Sequence, residues 1–227
     1  MSISKQIIAA LKRDDISYKC NDNISSHVCE EDIPFIVDEV AEKFQEVLKS
    51  LIIDIDNCDN TRDTARRVAK MMVNEIFNGR YVTSPDVKEF PNDAYLDDIY
   101  IVGPITIRST CAHHFQPVVG RLWVGVAPGT NVVGLSKFGR IAEWLASRPT
   151  LQETLTTQIA DELTKVTGSP NIAVVLRAEH GCVTNRGVKE HQSDMITSVM
   201  RGTFRTDPSE KQEFLALLTN SKSYQEV

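Results

Sequence analysis

Cysteine and histidine gather at two places in this chain, Cys111-Ala112-His113-His114 and His180-Gly181-Cys182. Both side chains bind borderline metals, and histidine also moves protons near neutral pH. Two cysteines and one histidine would hold a zinc ion with its fourth position open, which separates a catalytic zinc from a structural one. Such an ion lowers the pKa of bound water to about 7, and a spare histidine beside it can carry protons. Spacing leaves the ligand histidine open. Cys111 and His113 share a face on a straight strand, whereas Cys111 and His114 share one if the chain bends. The clusters lie 182 − 111 = 71 positions apart, so the fold must join them. The competing reading is two buried thiols and satisfied core histidines.

Two further groups could bind a ligand. Ser136, Lys137 and Arg140 follow Gly134-Leu135 at the predicted start of a helix. A helix N-terminus attracts anions, and cations there oppose its dipole, so they suit a phosphate better than they suit the helix. Arg186, four residues after Cys182, and Arg66 are similar candidates. Gln152-Glu153 reads in two ways. Thr150-x-x-Glu153 is a capping box, and a carboxylate beside an amide can also accept from the N1–H and 2-amino group of guanine.

Bulk composition narrows the classes. The chain has 227 residues, a net charge of −6 and five cysteines. That length supports one core with an extension. An acidic chain with no Lys/Arg run argues against a nucleic-acid partner. No apolar run is long enough for a membrane span, and the first residues lack a signal peptide's pattern. An odd cysteine count with irregular spacing does not suggest a disulfide framework. These points predict a cytoplasmic protein in which Cys20, Cys29 and Cys58 are free thiols. A zinc nucleoside deaminase is excluded, because its H-x-E and P-C-x-x-C pair is absent.

The elements that must position these residues follow from periodicity. A short helix over Ser4–Lys12 precedes a linker at Ile24–Asp32. Val37, Val40, Phe44, Val47 and Leu51 mark one helix. Ala65, Val68, Met72 and Ile76 mark a second over 62–78, with Thr61 as N-cap and Gly79 as its stop. Ile99 to Ile107 alternates as a strand interrupted at Gly103-Pro104 and runs into Cys111. Leu122, Val124 and Val126 make another strand. Two helices follow, the first capped by Ser136, the second carrying Leu155, Ile159, Leu163 and Val166 before Gly168. The strand through Ile172, Val174 and Leu176 leads into His180 and Cys182. A last strand covers about 193–204, and Asp207-Pro208-Ser209-Glu210 opens a final helix with a capping-box pattern. The order predicts an α+β fold.

Taken together, these residues resemble the GTP cyclohydrolase I family. The motifs are R-x-T-x-x-R-V-A-K-M (Arg62–Met71), S-T-C-x-H-H-F (Ser109–Phe115) and G-L-S-K-x-x-R-I (Gly134–Ile141). R-P-x-x-Q-E-x-L-T-x-Q-I (Arg148–Ile159), A-x-H-x-C-x-x-x-R-G-V (Ala178–Val188) and G-x-F-R-x-D-P-x-x-x-x-E-F-L (Gly202–Leu215) follow in order. The resemblance implies a small antiparallel sheet with helices packed on one side, of the ring-forming tunnelling-fold type. It implies a catalytic domain over 34–219, an N-terminal extension over 1–33, partly helical or flexible, and a tail over 220–227.

It also implies Zn2+ held by Cys111, His114 and Cys182, with His113 and His180 as catalytic histidines. Gln152 and Glu153 match the guanine-recognising pair. Ser136, Lys137, Arg140 and Arg186 match triphosphate contacts, with Ser136 counted among the catalytic groups. Arg66 stands where the family often has lysine, also near the triphosphate. The implied reaction converts GTP to 7,8-dihydroneopterin triphosphate with release of formate, the first step of pterin, folate or deazapurine synthesis. The implied assembly is a homodecamer of two pentamers with active sites at subunit interfaces. Two positions depart from the pattern. Ala112 replaces the usual glutamate, which points to a catalytically weakened nucleotide-binding regulatory relative as the alternative. Met195 stands where threonine is common.

Overall fold

Apolar residues three and four apart build the helices of the N-terminal half, and strict alternation builds the strands of the C-terminal half. The structure, a computed structural model, describes residues 2–221, so positions 222–227 of the expected tail lie outside the described residues. The chain divides into two compact units, Met1–Thr83 and Ser84–Val227.

The first unit holds α1 (Ile3–Arg13), α2 (Ile33–Ser50), α3 (Thr64–Met71) and α4 (Asn78–Tyr81). Ile7 and Leu11 of α1 close on Ile24 and Val28, so the stretch expected to be a linker carries part of a core. The predicted helix over 62–78 is shorter and divided. Thr61 does not cap it, because the Thr61 and Arg62 amides both turn back to the Cys58 carbonyl and the helix starts at Thr64. After Met71 a π-helical turn over Met72–Ile76 shifts the register, and Gly79 lies buried inside α4 instead of ending a helix. The centre of the buried stripe is Ala69 and Val73, packed with Val37 of α2.

The second unit is an α+β fold. Its main sheet has the order β2-β3-β5-β6 and is antiparallel throughout, formed by Tyr100–Thr110, Pro117–Val126, Ile172–His180 and Met195–Met200. Gly103-Pro104 interrupts β2 as a bulge between Val102 and Ile105. A proline there removes no ladder bond, since a bulge leaves one residue unpaired. A separate pair joins β1 (Glu89–Pro91) to β4 (Asn131–Val133).

One face of the main sheet presents Leu122, Val124, Val126, Ile172, Val174 and Leu176. It is covered by α5 (Leu135–Ala146) and α6 (Gln152–Thr167) through Phe138, Ile141, Leu145, Leu155, Ile159 and Leu163. The alternate residues Trp123, Ala173 and Val175 form a smaller patch on the other face. There they meet Phe204 of α8 (Thr203–Thr206) with Phe214 and Leu218 of α9 (Pro208–Asn220). Period-two alternation dictates this sidedness.

At the three helix N-termini of this unit with a local cap signal, two differ from it. Ser136 does not cap α5, which begins one residue earlier with Gly134 as N-cap and no side-chain bond. Thr150 does not cap α6 either, since Leu151 holds the N-cap position. Asp207 does cap α9, accepting from the Ser209 amide at 2.8 Å. The α6 C-terminus ends as predicted on Gly168, whose φ of 62° costs glycine less than any residue with a Cβ. The last strand is shorter than predicted, because Gly202 (φ 55°) turns the chain into α8. Among the described residues, no helix is long and apolar enough to cross a membrane.

Candidate active site

Register brings the two cysteine clusters together. Thr110 pairs with Pro117, and Val118 pairs with His180. The ends of β2 and β5 and the start of β3 therefore share one end of the sheet. A tight turn follows β2. The Phe115 amide donates to the Cys111 carbonyl (2.9 Å) and the Cys111 amide to the Gln116 carbonyl (2.8 Å), leaving His113 and His114 exposed on the turn. Their rings meet edge to face, 6.4 Å between centroids. After β5 the chain enters α7 (Gly181–Thr184), which carries Cys182. A Cβ at Gly181 would lie 3.1 Å from the Pro117 carbonyl oxygen, a tight contact that a side chain could make only if β3 gave way by a few tenths of an ångström.

The result is a pair of free thiols. Cys111 is buried, Cys182 is half-buried, and their side chains are hydrogen-bonded. Burial and then the neighbouring Cys111 thiol push the Cys182 thiol up, while the Arg186 guanidinium opposes them. That guanidinium also donates to His114 Nε2 at 3.1 Å. Arginine has no lone pair to accept with, so the His114 Nε2 atom is the acceptor.

A third wall comes from the segment before α6. The Thr150 amide donates to the Thr110 carbonyl (3.0 Å), and the Ala112 amide donates to the Thr150 carbonyl (3.2 Å). This short ladder sets the start of α6 beside the cysteines. Gln152 is buried there, and its Oε1 lies 2.7 Å from His180 Nε2. Its Nε2 reaches the Leu176 and Met195 carbonyls. Burial lowers the His180 pKa, and the nearby Glu153 carboxylate works against that. Glu153 itself is exposed at the head of the helix.

Cys111, Cys182, His113, His114, His180, Gln152, Glu153 and Arg186 thus stand at one end of the sheet. Ser136 and Lys137 do not, and Arg140 is exposed between them and that end on α5. The α5 helix reaches that end with its C-terminus, where the Ser109 hydroxyl donates to the Ala146 carbonyl (2.9 Å). Ser136 lies ten residues earlier, about 15 Å along the axis. Lys137 Nζ donates to the Asp86 carbonyl instead. Arg66 sits on α3 of the first unit, paired with Asp38 at 2.6 Å. Among the described residues, no three His, Cys, Asp or Glu side chains form a group that could hold an ion. The two thiols are together, but the His114 ring is turned to Arg186.

Sequence reasoning missed Thr197, Thr156 and the carbonyls of Leu176 and Met195. Main-chain acceptors carry no residue-type signal, and the two threonines become neighbours only through the packing of α6 on β6. Position 195 contributes its carbonyl, which any residue supplies, so a methionine there is no obstacle to this network.

Comparison with known proteins follows the same residues. The family model for GTP cyclohydrolase I matches residues 40–219. The chain is similar to GTP cyclohydrolase 1 of Flavobacterium johnsoniae, 39% identical over 180 residues that make up 79% of this chain and 80% of that protein. It is 38% identical to GTP cyclohydrolase 1 of Yersinia enterocolitica over 177 residues, 78% of this chain and 80% of the other. With GTP cyclohydrolase 1 of Aeromonas hydrophila it shares 39% over 171 residues, 75% and 78% of the two chains.

Proposed function

The chain belongs to the GTP cyclohydrolase I family and is an enzyme acting on GTP, and from that premise we propose that it converts GTP to 7,8-dihydroneopterin triphosphate with release of formate. The observation that carries this reading is the meeting of Cys111, Cys182 and His180 at one sheet end, with the exposed Glu153 beside His180. The product would open pterin synthesis toward folate or a deazapurine, in the cytoplasm. The catalytic domain is assigned to 34–219, with 1–33 as an extension.

Cys111, Cys182 and His114 would hold a zinc ion. The donor set suits it. The neighbouring Cys111 thiol adds to the cost of ionising Cys182, and a bound cation removes that cost. When bound, zinc supplies a Lewis acid that makes water nucleophilic at neutral pH. His180 and His113 hold and move protons at the ring nitrogens of the purine. Glu153 accepts from the N1–H and 2-amino group of guanine, as only an ionised carboxylate can at both positions. Arg186 binds triphosphate at the cysteine end, with Ser136, Lys137, Arg140 and Arg66 as its further contacts. The distance of Ser136 and Lys137 from the cysteines within one chain supports a site shared between copies, as in a decamer of two pentamers.

The test is incubation of the purified, zinc-loaded protein with GTP. Formate and, after oxidation, a fluorescent neopterin are expected; a folded, metal-loaded protein giving neither sinks the reading. Ala112 favours a second reading, a weakened regulatory relative. It offers a methyl group where the family usually has a carboxylate, and carboxylates near ligand histidines orient them. Tight GTP and zinc binding without formate would establish that alternative.

A further inference from the structure

The Gln152 side-chain amide has one workable orientation. Its Nε2 lies 3.0 Å from the Leu176 carbonyl and 2.9 Å from the Met195 carbonyl. Neither oxygen has a proton to give, so the atom facing them must carry hydrogens. The Thr197 hydroxyl, 3.1 Å away, is an acceptor too. The Thr156 hydroxyl gives its proton to the Gln152 main-chain carbonyl (2.7 Å), so Thr197 must donate the 2.7 Å bond between the two hydroxyls. Reversing the amide would set an oxygen against two carbonyl oxygens at a residue only 2% exposed. Unsatisfied acceptors are costly there.

Gln152 Oε1 is therefore fixed toward His180 Nε2, 2.7 Å away. An amide oxygen only accepts, so His180 Nε2 carries the proton. In the neutral ring Nδ1 is then the nitrogen with the lone pair.

We propose that Gln152 is a positioning residue for His180, holding the imidazole in its Nε2–H form so that Nδ1 is the nitrogen that exchanges protons with the substrate. The inference rests on His180 being the proton-transfer group. It moves Gln152 away from direct guanine contact, since both of its side-chain N–H groups are spent inside the protein. Guanine reading is left to Glu153. A partner hydrogen-bonded to one ring nitrogen fixes both the tautomer and the direction of an imidazole.

The test uses metal-loaded protein with 15N-labelled histidine rings. The His180 signals are identified as those absent from a His180→Asn variant. With the ring neutral, the expected spectrum shows a protonated-type Nε2 and an unprotonated-type Nδ1 in the wild type. Gln152→Met keeps the length and removes the acceptor. It is expected to give a mixture of tautomers and to lower kcat about 10- to 100-fold, with KM for GTP within about threefold. An Nδ1–H tautomer in the wild type overturns the proposal. So does a Gln152→Met variant with raised KM, unchanged kcat and an unchanged tautomer, which would return Gln152 to the guanine. If that variant does not fold, the wild-type spectrum decides alone. Absence of turnover in the wild type would sink the reaction assignment, and the tautomer measurement would still be decided by its own spectrum.

Discussion

At the scale of single residues, the Cys111–Cys182 contact is the feature on which the proposed chemistry turns. Each thiol comes from the end of a different strand, and removing one leaves too few soft donors to hold zinc. Cys182→Ala is expected to purify with far less than one zinc per chain and to lose GTP turnover with it. Metal analysis beside the formate assay checks both, and full metal with full turnover would refute the ligand assignment. Glu153 gives a second test. Its carboxylate is exposed and caps nothing, because Leu151 holds the cap position of α6. Glu153→Gln should therefore lower the melting temperature by no more than about 4 °C, the scale of one charge at a helix N-terminus, while kcat/KM for GTP falls about 10- to 100-fold, the scale of losing charge-assisted hydrogen bonds. A larger drop in stability with unchanged kcat/KM would make Glu153 a structural residue. The candidate metal and proton groups were legible in the sequence because cysteine and histidine are rare and chemically distinct. The partners of His114 and Gln152 were not, because Arg186, Leu176 and Met195 reach them only through strand pairing.

At the scale of elements, helices were legible where their stripes were and illegible where their ends borrow distant partners. The α6 stripe of Leu155, Ile159 and Leu163 follows from spacing alone, and Gly168 ends it. Thr150 looked like its cap, but its backbone is recruited by Thr110 and Ala112, about forty positions away, which no local window contains. The final helix shows how such a face is held. Phe214 of α9 is fully buried and meets Phe204 edge to face, 5.5 Å between centroids, over Gly125, where a Cβ would come within 2.5 Å of the ring. Phe214→Ala is expected to cost about 3–5 kcal/mol in denaturant unfolding, from lost burial plus the cavity left behind. A change under a third of that would mean α9 is not seated on the sheet. In the first unit, Glu39 of α2 accepts from the Ser4 hydroxyl (2.6 Å) and amide (3.1 Å) of α1. Those bonds hold the Glu39 carboxyl below its usual value. A depressed carboxyl pKa stabilises the folded state above the unfolded value and loses that contribution as pH falls through the folded one. The protection factors of the α1 amides, which compare each exchange rate with its intrinsic rate at the same pH, should accordingly fall as the solution is acidified through the carboxylate range. Glu39→Gln should exchange faster at neutral pH and show little of that acid response; equal protection of both proteins would remove the carboxylate from any role in docking α1.

At the scale of the whole molecule, the question is how a chain of net charge −6 binds a triphosphate. Local cation clusters are the physical answer, since the field of the whole surface is repulsive. Yet the candidate triphosphate contacts are divided within one chain. Arg186 stands with the cysteines, whereas Ser136 and Lys137 lie toward the other end of α5, about 15 Å along its axis from Ala146. If one copy supplies the metal and histidine end and another supplies the start of α5, then two inactive variants can repair each other. Cys182→Ala lacks the first half-site, and Lys137→Ala lacks the second. Unfolded, mixed and refolded at equal amounts, they are expected to regain about a quarter of wild-type turnover, because a random pairing of copies joins two intact half-sites in one case of four. Each variant refolded alone should stay at background. A site built within one chain would give no recovery, because every chain in the mixture would carry one broken half.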